Sequence, residues 1–214
     1  MDISTTRDES SSRSRVPAEV RRRLLDATTE LVAARGLDGV NSNQIARTAG
    51  VGVGTFYGHF EDKHAAHQAV VADALETLQA CIAAGAAAVD EPLAVQVRAL
   101  VESVLSFAEQ SPERFQVAFG REAAPGAARS AAGGGGRPVK GYSTRVAERR
   151  LGELRSQGLV EAALSPAVAA RAFLAMQNGV VSWWLEDRAR ASREEVVETL
   201  VLLHPAIAAR TGAG

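Results

Sequence analysis

The chain has 214 residues, of which 46% are hydrophobic and 23% charged, so it can bury the core of one or two globular domains. Its formal net charge of −1 excludes a general electrostatic attraction to nucleic acid, so any DNA affinity must come from a local patch. The single cysteine, Cys81, excludes an internal disulfide, and no apolar run reaches the roughly 18 residues of a membrane helix. We therefore expect a cytoplasmic protein with no membrane partner.

The first 35 residues predict a tail followed by a helix. Residues 1–15 are rich in Ser, Thr, Arg and Asp, which favours a disordered tail; the alternative is a basic arm that follows DNA. Pro17 suits the first turn of a helix that runs to Arg35, and Gly36 ends it. The apolar residues of this helix recur at helical spacing: Leu24, Leu25, Ala27, Leu31 and Val32.

The segment 41–63 predicts two short helices and a tight turn. Asn41 and Gln44 have the spacing of a capping box, and Gly50 suits the left-handed residue that ends a helix. A second helix, Val53–His59, is too short to be stable alone, so its apolar residues must dock on neighbours. Such a pair, with polar groups on the second helix, is typical of a DNA-binding helix-turn-helix.

The rest of the chain predicts further helices and no strands. A long Ala-rich helix covers about 62–88, and later helices are expected at about 92–110, 111–122, 140–157, 165–188 and 192–207. Pro205 should kink or fray the last of them. Residues 124–138, which contain four consecutive glycines, predict a flexible loop.

The segment 41–63, taken with the helix before it, resembles the signature of the TetR family of bacterial regulators over roughly 45 residues. The matching pattern consists of Ile45-Ala46, Ala49-Gly50-Val51, Gly54-Thr55-Phe56-Tyr57, His59-Phe60 and Lys63. Asn41 and Gly52 replace the Thr and Ser that commonly cap the two helices, and both are acceptable N-caps. The resemblance implies an all-α fold. The fold implied by the resemblance has an N-terminal three-helix helix-turn-helix DNA-binding domain at 16–62 and a C-terminal helical ligand-binding and dimerisation domain at 63–211.

The resemblance and the polarity of the segment together give the DNA-contact candidates. Phe56 and Phe60 are assigned to the core with Val53, although Val53 also begins the recognition helix. Lys63 and the N-terminus of the helix that it begins are expected to form an anion site. The full set of candidates is Arg21, Asn41, Ser42, Asn43, Arg47, Val53, Gly54, Thr55, Tyr57, His59 and Lys63.

The carboxyl-terminal half offers an effector pocket and a dimer interface. The pocket set joins aromatic residues to a few polar or flexible ones, as small-molecule sites do: Phe107, Phe115, Phe119, Phe173, Met176, Gln177 and Trp183. The dimer set consists of apolar residues on the last two long helices: Val180, Val181, Trp184, Leu185, Val196, Leu200, Leu203 and Ile207. Packing in the core is the competing interpretation for both sets.

Catalytic, cofactor and metal sites are not predicted. The segment Gly50–Gly54 lacks the preceding strand and spacing of a dinucleotide loop, and His64 and His67 have no third ligand nearby. We expect a homodimeric repressor, released from a palindromic double-stranded operator by a small-molecule effector. A ligand-independent or activating DNA-binding regulator is the alternative. An enzyme that uses the helical cavity is disfavoured, because no catalytic constellation is present.

Overall fold

The computed structural model describes residues 6–88, 90–120 and 142–211, which form ten α-helices and no strand. The all-α prediction is therefore confirmed, whereas the predicted loop at 124–138 lies outside the described residues. The chain divides into two compact units, residues 1–72 and 73–214. The helices are α1 (Thr6–Arg35), α2 (Ser42–Thr48), α3 (Val53–His59), α4 (Lys63–Gly85), α5 (Leu93–Gln110), α6 (Pro112–Phe119), α7 (Tyr142–Ser156), α8 (Pro166–Glu186), α9 (Arg193–Leu202) and α10 (Pro205–Thr211).

Helix α1 begins at Thr6, within the segment predicted to be a disordered tail. Pro17 consequently lies inside the helix rather than in its first turn. The tail prediction relied on the lack of apolar residues, which excludes a packed segment but not an extension of an existing helix.

The amino-terminal unit is built around the buried faces of α1, α2 and α3. Leu24, Ile45 and Phe56 are fully buried, because the apolar positions of the three helices converge. Thr28 and Thr29 are buried in α1 and donate their hydroxyls to the carbonyls of Leu24 and Leu25. A core with so few large side chains needs accurate placement of each helix.

The carboxyl-terminal unit packs α5 against α6, α8 and α9, and α7 against α8. Phe107, Val181 and Leu200 lie at its centre. A second cluster, at the junction of α7, α8 and α10, contains Leu151, Leu154, Val160, Ala169, Ala170 and Ala206. In this unit Pro205 begins α10, so the last predicted helix is divided into α9 and α10, as the missing N–H of a proline requires. Among the described helices, none combines the length and apolarity needed to cross a bilayer.

Candidate nucleic-acid interface and helical body

Helix α2 has both of the end structures that the sequence predicts. The Gln44 backbone N–H donates to Asn41 Oδ1 at 3.0 Å, and the Asn41 N–H donates to Gln44 Oε1 at 2.9 Å, which completes the capping box. At the other end Gly50 has a φ of +64°, and the Val51 N–H donates to the Ala46 carbonyl at 3.0 Å. This reversal directs the chain into α3 and so orients the whole motif.

Helix α3 buries one side chain, and its other residues are exposed or partly exposed. Phe56 is fully buried, whereas Tyr57 is 56% exposed and Val53 is 40% exposed. Thr55 and Gly54 are exposed, and an added Cβ at Gly54 would meet no atom within 4 Å. Of the three residues expected to dock the helix, Val53 faces outward instead, because the first turn of α3 extends beyond the small core.

The remaining candidates on α2 and α3 also lie at the surface. Asn41, Asn43 and Arg47 are exposed, while Ser42 and His59 are partly exposed. Asn41 is occupied by the capping box, so its side-chain oxygen serves α2. The exposed Arg47 side chain makes no hydrogen bond or ion pair within the described residues, so its guanidinium can reach an outside partner.

The Lys63 side chain contacts backbone carbonyls of its own chain, which the sequence did not predict. Its ammonium donates to the carbonyls of Leu37 at 2.9 Å and Val40 at 3.0 Å, inside the loop between α1 and α2. Asp62 Oδ1 accepts from the Ala65 N–H at 2.7 Å and so caps α4 with a carboxylate. The anion site at Lys63 stays a prediction: the ammonium donates to two backbone carbonyls, which leaves one of its three N–H groups for a further acceptor.

Two arginines of α1 approach the motif from different sides. The Arg21 guanidinium carbon lies 5.7 Å from the centre of the Phe60 ring, with the side chain exposed at the end of α3. Arg23 Nη2 donates to the Gly50 carbonyl at 2.9 Å and also to the Ala49 carbonyl. Sequence reasoning missed the role of Arg23, because its partners lie 26 and 27 residues away and no local spacing reveals them.

The aromatic residues of the predicted pocket divide into two groups and an outlier. Phe107, Phe115 and Phe119 pack on one another, with ring centres 5.3–6.4 Å apart. Phe173 packs edge-on against His204 with ring centres 4.6 Å apart, so it belongs to a different cluster. Trp183 is 44% exposed and stacks with Arg190, so its placement in an interior pocket is wrong.

Two buried polar atoms lie in α8. Gln177 is only 3% exposed and Ser182 only 4%, and neither Gln177 Oε1 nor Ser182 Oγ has a hydrogen-bond partner in the described chain. Met176, beside Gln177, is partly exposed. An unpaired buried oxygen costs free energy, so Gln177 is the member of the predicted pocket set with the clearest capacity for a polar ligand group.

Half of the predicted dimer residues are buried within one chain. Val181, Trp184, Val196 and Leu200 are at most 3% exposed, so their assignment to an intersubunit surface is wrong. They fill the core of the carboxyl-terminal unit, and a side chain buried there cannot also contact a second copy. Leu203 is 50% exposed, and Val180, Leu185 and Ile207 are partly exposed.

A different face of α8 is open. Its outward residues follow each other at three- or four-residue intervals and are apolar or small: Val168, Ala172, Ala175, Gly179 and Trp183. Val168 is 67% exposed, and an added Cβ at Gly179 would meet no atom within 4 Å. At the end of α9, Leu202 is also 61% exposed.

His204 is a partly buried titratable group that the sequence analysis missed. Burial lowers the pKa of His204 from 6.5 to about 4, because the charged imidazolium is poorly solvated there. Its Nδ1 accepts a hydrogen bond from the Ala206 N–H at 3.2 Å, which also requires that nitrogen to be unprotonated. Within the described residues, no group of three or more His, Cys, Asp or Glu side chains could hold a metal ion.

Comparison with known proteins agrees with the geometry of the amino-terminal unit. Residues 24–66 match the family described as bacterial regulatory proteins, tetR family. The HTH-type transcriptional regulator SrpR of Pseudomonas putida is 41% identical over 61 residues, which is 28% of this chain and 29% of SrpR. This similarity to a curated relative thus spans less than a third of that relative's length.

Solved structures extend the similarity of fold to most of the chain. A regulatory protein of the tetR family from Rhodococcus RHA1 is 18% identical with a TM-score of 0.66, covering 88% of this chain and 96% of its own. The transcriptional regulator FadR of Bacillus subtilis, solved with stearoyl-CoA, is 17% identical with a TM-score of 0.67, covering 87% of this chain and 98% of its own. At these identities the likeness establishes the arrangement of helices.

Proposed function

We propose that this chain, which belongs to the TetR family of bacterial regulatory proteins, is a homodimeric DNA-binding repressor released from its operator by a small molecule. The family and the curated relative are regulators rather than enzymes, and the fold of both units agrees with that class. Repression, a palindromic operator and release by a ligand are the parts that experiment must test.

The observation that carries the proposal is the division of α3 into one buried ring and an otherwise exposed helix. Phe56 fixes the helix to its unit, while Thr55 and Tyr57 carry their hydroxyls outside. Arg47 adds an exposed guanidinium on α2. Hydroxyls and a guanidinium on a helix-turn-helix can position it on phosphates, and the open space at Gly54 allows backbone to approach the duplex closely.

The test is binding to the DNA immediately upstream of the gene for this protein. Wild-type protein should prefer a palindrome in that DNA over random duplex, with an affinity that falls steeply with salt. Gly54→Leu should reduce operator affinity by tenfold or more, because a Cβ at this position meets no atom of the chain within 4 Å and the leucine side chain would extend toward DNA. Gly152→Leu is the matched control, since Gly152 lies on α7 and is equally open.

Two results would contradict DNA recognition by α3. One is equal affinity of the wild type for upstream and random DNA, tested also on fragments from elsewhere in the genome. The other is an operator affinity that Gly54→Leu and Tyr57→Phe leave unchanged. Release of the protein from its operator by a ligand needs a separate test, because an activator or a ligand-independent regulator would also bind the upstream DNA.

The exposed stripe of α8 supports a two-fold dimer with a second copy of this chain. Ala172, Ala175 and Gly179 are small enough for two α8 helices to approach closely, and Val168 and Trp183 supply apolar area at each end. An isologous pairing of this kind presents two α3 helices to one duplex. Half-sites about 34–36 Å apart would then form a palindrome.

Gly179→Leu tests the dimer. A Cβ at this position meets no atom of its own chain within 4 Å, so the protomer should stay folded, but the leucine side chain would separate two close helices. Sedimentation should show a dimer for the wild type and for Gly152→Leu, and a monomer for Gly179→Leu. A dimer in all three proteins would place the interface on another surface.

The effector part of the proposal depends on Gln177. Its unpaired, buried Oε1 can accept a hydrogen bond from a ligand. The structure of FadR, which has a similar fold, was solved with stearoyl-CoA. Stearoyl-CoA is therefore the first compound of a release assay, with shorter acyl-CoAs and free coenzyme A beside it. Gln177→Met should abolish release while leaving operator affinity without ligand unchanged; unaltered release would remove Gln177 from the site.

A further inference from the structure

We infer that Val53 recognises a thymine of the operator, by an apolar contact with its methyl group in the major groove. This inference rests on the proposed function, because it concerns how α3 distinguishes one base pair from another. The strongest means of distinguishing base pairs is a pair of hydrogen bonds from Arg, Lys, Asn or Gln. The seven residues of α3, VGTFYGH, include none of these residue types, so specificity on this helix must come from other contacts.

Val53 is an exposed apolar side chain at the start of α3. It is 40% exposed, whereas Phe56, three residues later, is fully buried and attaches the helix to its unit. The N-terminal residues of a recognition helix are the ones that contact base edges, so Val53 lies where such a contact is expected. A valine with this exposure contributes little to the core, and its two γ-methyl groups are available to an apolar partner.

The residues around Val53 leave space for a base pair to approach it. Both of its neighbours in the sequence, the N-cap residue Gly52 and Gly54, lack a side chain. A Cβ added at Gly54, or at Gly58 one turn further along α3, would meet no atom of the chain within 4 Å. The valine side chain therefore extends beyond the backbone on either side of it, and no adjacent side chain occupies the same space.

Thymine is the base whose major-groove edge matches a valine. Adenine, guanine and cytosine present only hydrogen-bond donors and acceptors there, whereas thymine adds a C5-methyl group beside one acceptor. A valine placed against one of the polar edges would leave groups of that base without hydrogen-bond partners. Contact with the thymine methyl instead removes apolar surface of both partners from water, which is favourable. The contact thus favours a T·A pair at that position of the operator.

Thr55 and Tyr57 are other exposed residues of α3 that carry apolar atoms. Both also have a hydroxyl group, which can donate to a phosphate or to a base edge. Val53 has no polar side-chain atom, so a base contact is the only contact with DNA that its side chain can make favourably. A test must therefore connect one thymine methyl to Val53 itself and not to α3 in general.

The probes are duplexes of the operator in which one thymine at a time is replaced by uracil, in both half-sites. Uracil lacks the methyl group and keeps the base pair, so the substitution isolates the methyl contact. Affinity for each duplex is measured with the wild type, Val53→Ala and Val95→Ala. Val95 is the matched control, because it is a valine in the first turn of α5 and is 43% exposed. The melting temperature of each protein is measured without DNA.

For at least one thymine, uracil should weaken wild-type binding by about fourfold for each half-site, as loss of one buried methyl group predicts. The same uracil should weaken Val53→Ala by less than about twofold, because both γ-methyl groups are gone. Val95→Ala should respond as the wild type does. The melting temperature of Val53→Ala should not fall, because the side chain is exposed and alanine has the higher helix propensity.

A uracil loss in Val53→Ala equal to that of the wild type would overturn the inference, because another residue would then contact the methyl group. A lower melting temperature of Val53→Ala, with thymine and uracil duplexes weakened alike, would also overturn it by assigning Val53 to the fold.

Failure of the proposed function gives a different result. If the wild type bound operator and random duplex equally, the proposed function and this inference would both be refuted, because no base would be recognised. If the wild type preferred the operator but bound every uracil duplex as tightly as its thymine parent, only the inference would be refuted. The DNA-binding function of α3 would then depend on its polar groups alone.

Discussion

Replacement of His204 by asparagine should remove a large part of the acid sensitivity of the carboxyl-terminal unit. The ring of His204 packs against Phe173, and its Nδ1 accepts from the Ala206 N–H. An asparagine places an amide oxygen near the position of that nitrogen and does not titrate. His204→Asn therefore retains an acceptor for the start of α10 and loses only the proton equilibrium.

The magnitude follows from the lowered pKa. Because the folded pKa of about 4 lies below the unfolded value of 6.5, the unfolded chain binds more protons than the folded one between these pH values. The neutral imidazole thus contributes full stability above pH 6.5, and this stability is lost as pH falls toward 4. The total is about 3 kcal/mol at about 1.36 kcal/mol for each pH unit, of which about 2 kcal/mol is lost between pH 7 and pH 5.

Urea unfolding followed by tryptophan fluorescence measures this loss of stability in the carboxyl-terminal unit, where His204 lies. Both tryptophans, Trp183 and Trp184, lie in residues 73–214, whereas the other three histidines, His59, His64 and His67, lie in residues 1–72. The free energy of unfolding of wild type should fall about 2 kcal/mol more than that of His204→Asn between pH 7 and pH 5. Equal losses in the two proteins would refute the lowered pKa of His204.

Two further predictions concern the ends of α2. Gly50→Ala should destabilise the amino-terminal unit by about 1–2 kcal/mol in thermal unfolding followed by circular dichroism, because an L-residue is strained at a φ of +64°. The new Cβ would also lie 2.6 Å from Arg23 Nη2, so an unchanged melting temperature would contradict the close contact. Asn41→Ala should cost about 1 kcal/mol in the same assay, while Asn41→Asp should be nearly neutral because it keeps the acceptor for the Gln44 N–H. Equal stability of these two variants would show that the capping box contributes little.

The sequence predicted the motif well because its signals are local. The capping box joins residues three apart, and the reversal at Gly50 depends on a single glycine. Val53–His59 was therefore located with both of its ends correct, and Pro205 marked the break between α9 and α10. Each of these features is decided by backbone groups within one or two turns of the residue that signals it.

The contacts of Arg23 and Lys63 could not be predicted in this way. A basic residue near a helix-turn-helix is compatible with phosphate binding, solvation or a backbone contact, and these differ only in where the chain places distant carbonyls. The carbonyls that Lys63 reaches are those of Leu37 and Val40. Asp62, which caps the first turn of α4 through the Ala65 N–H, has no distinguishing sequence pattern beyond its position before a helix.

The assignment of α8 failed for a related geometric reason. Trp183 and Trp184 are neighbours, but successive residues of a helix point about 100° apart, so one ring is 44% exposed and the other 2%. The helix is apolar or small on both sides, and hydrophobicity alone cannot distinguish the side that faces the core from a side that faces a second copy. Side-chain size carries the missing information: the buried side holds Phe173, Val181 and Trp184, which fill volume. The open side holds Ala172, Ala175 and Gly179, which allow another helix to approach. The larger residues therefore stabilise the protomer, and the smaller ones are where a change should alter association without altering the fold.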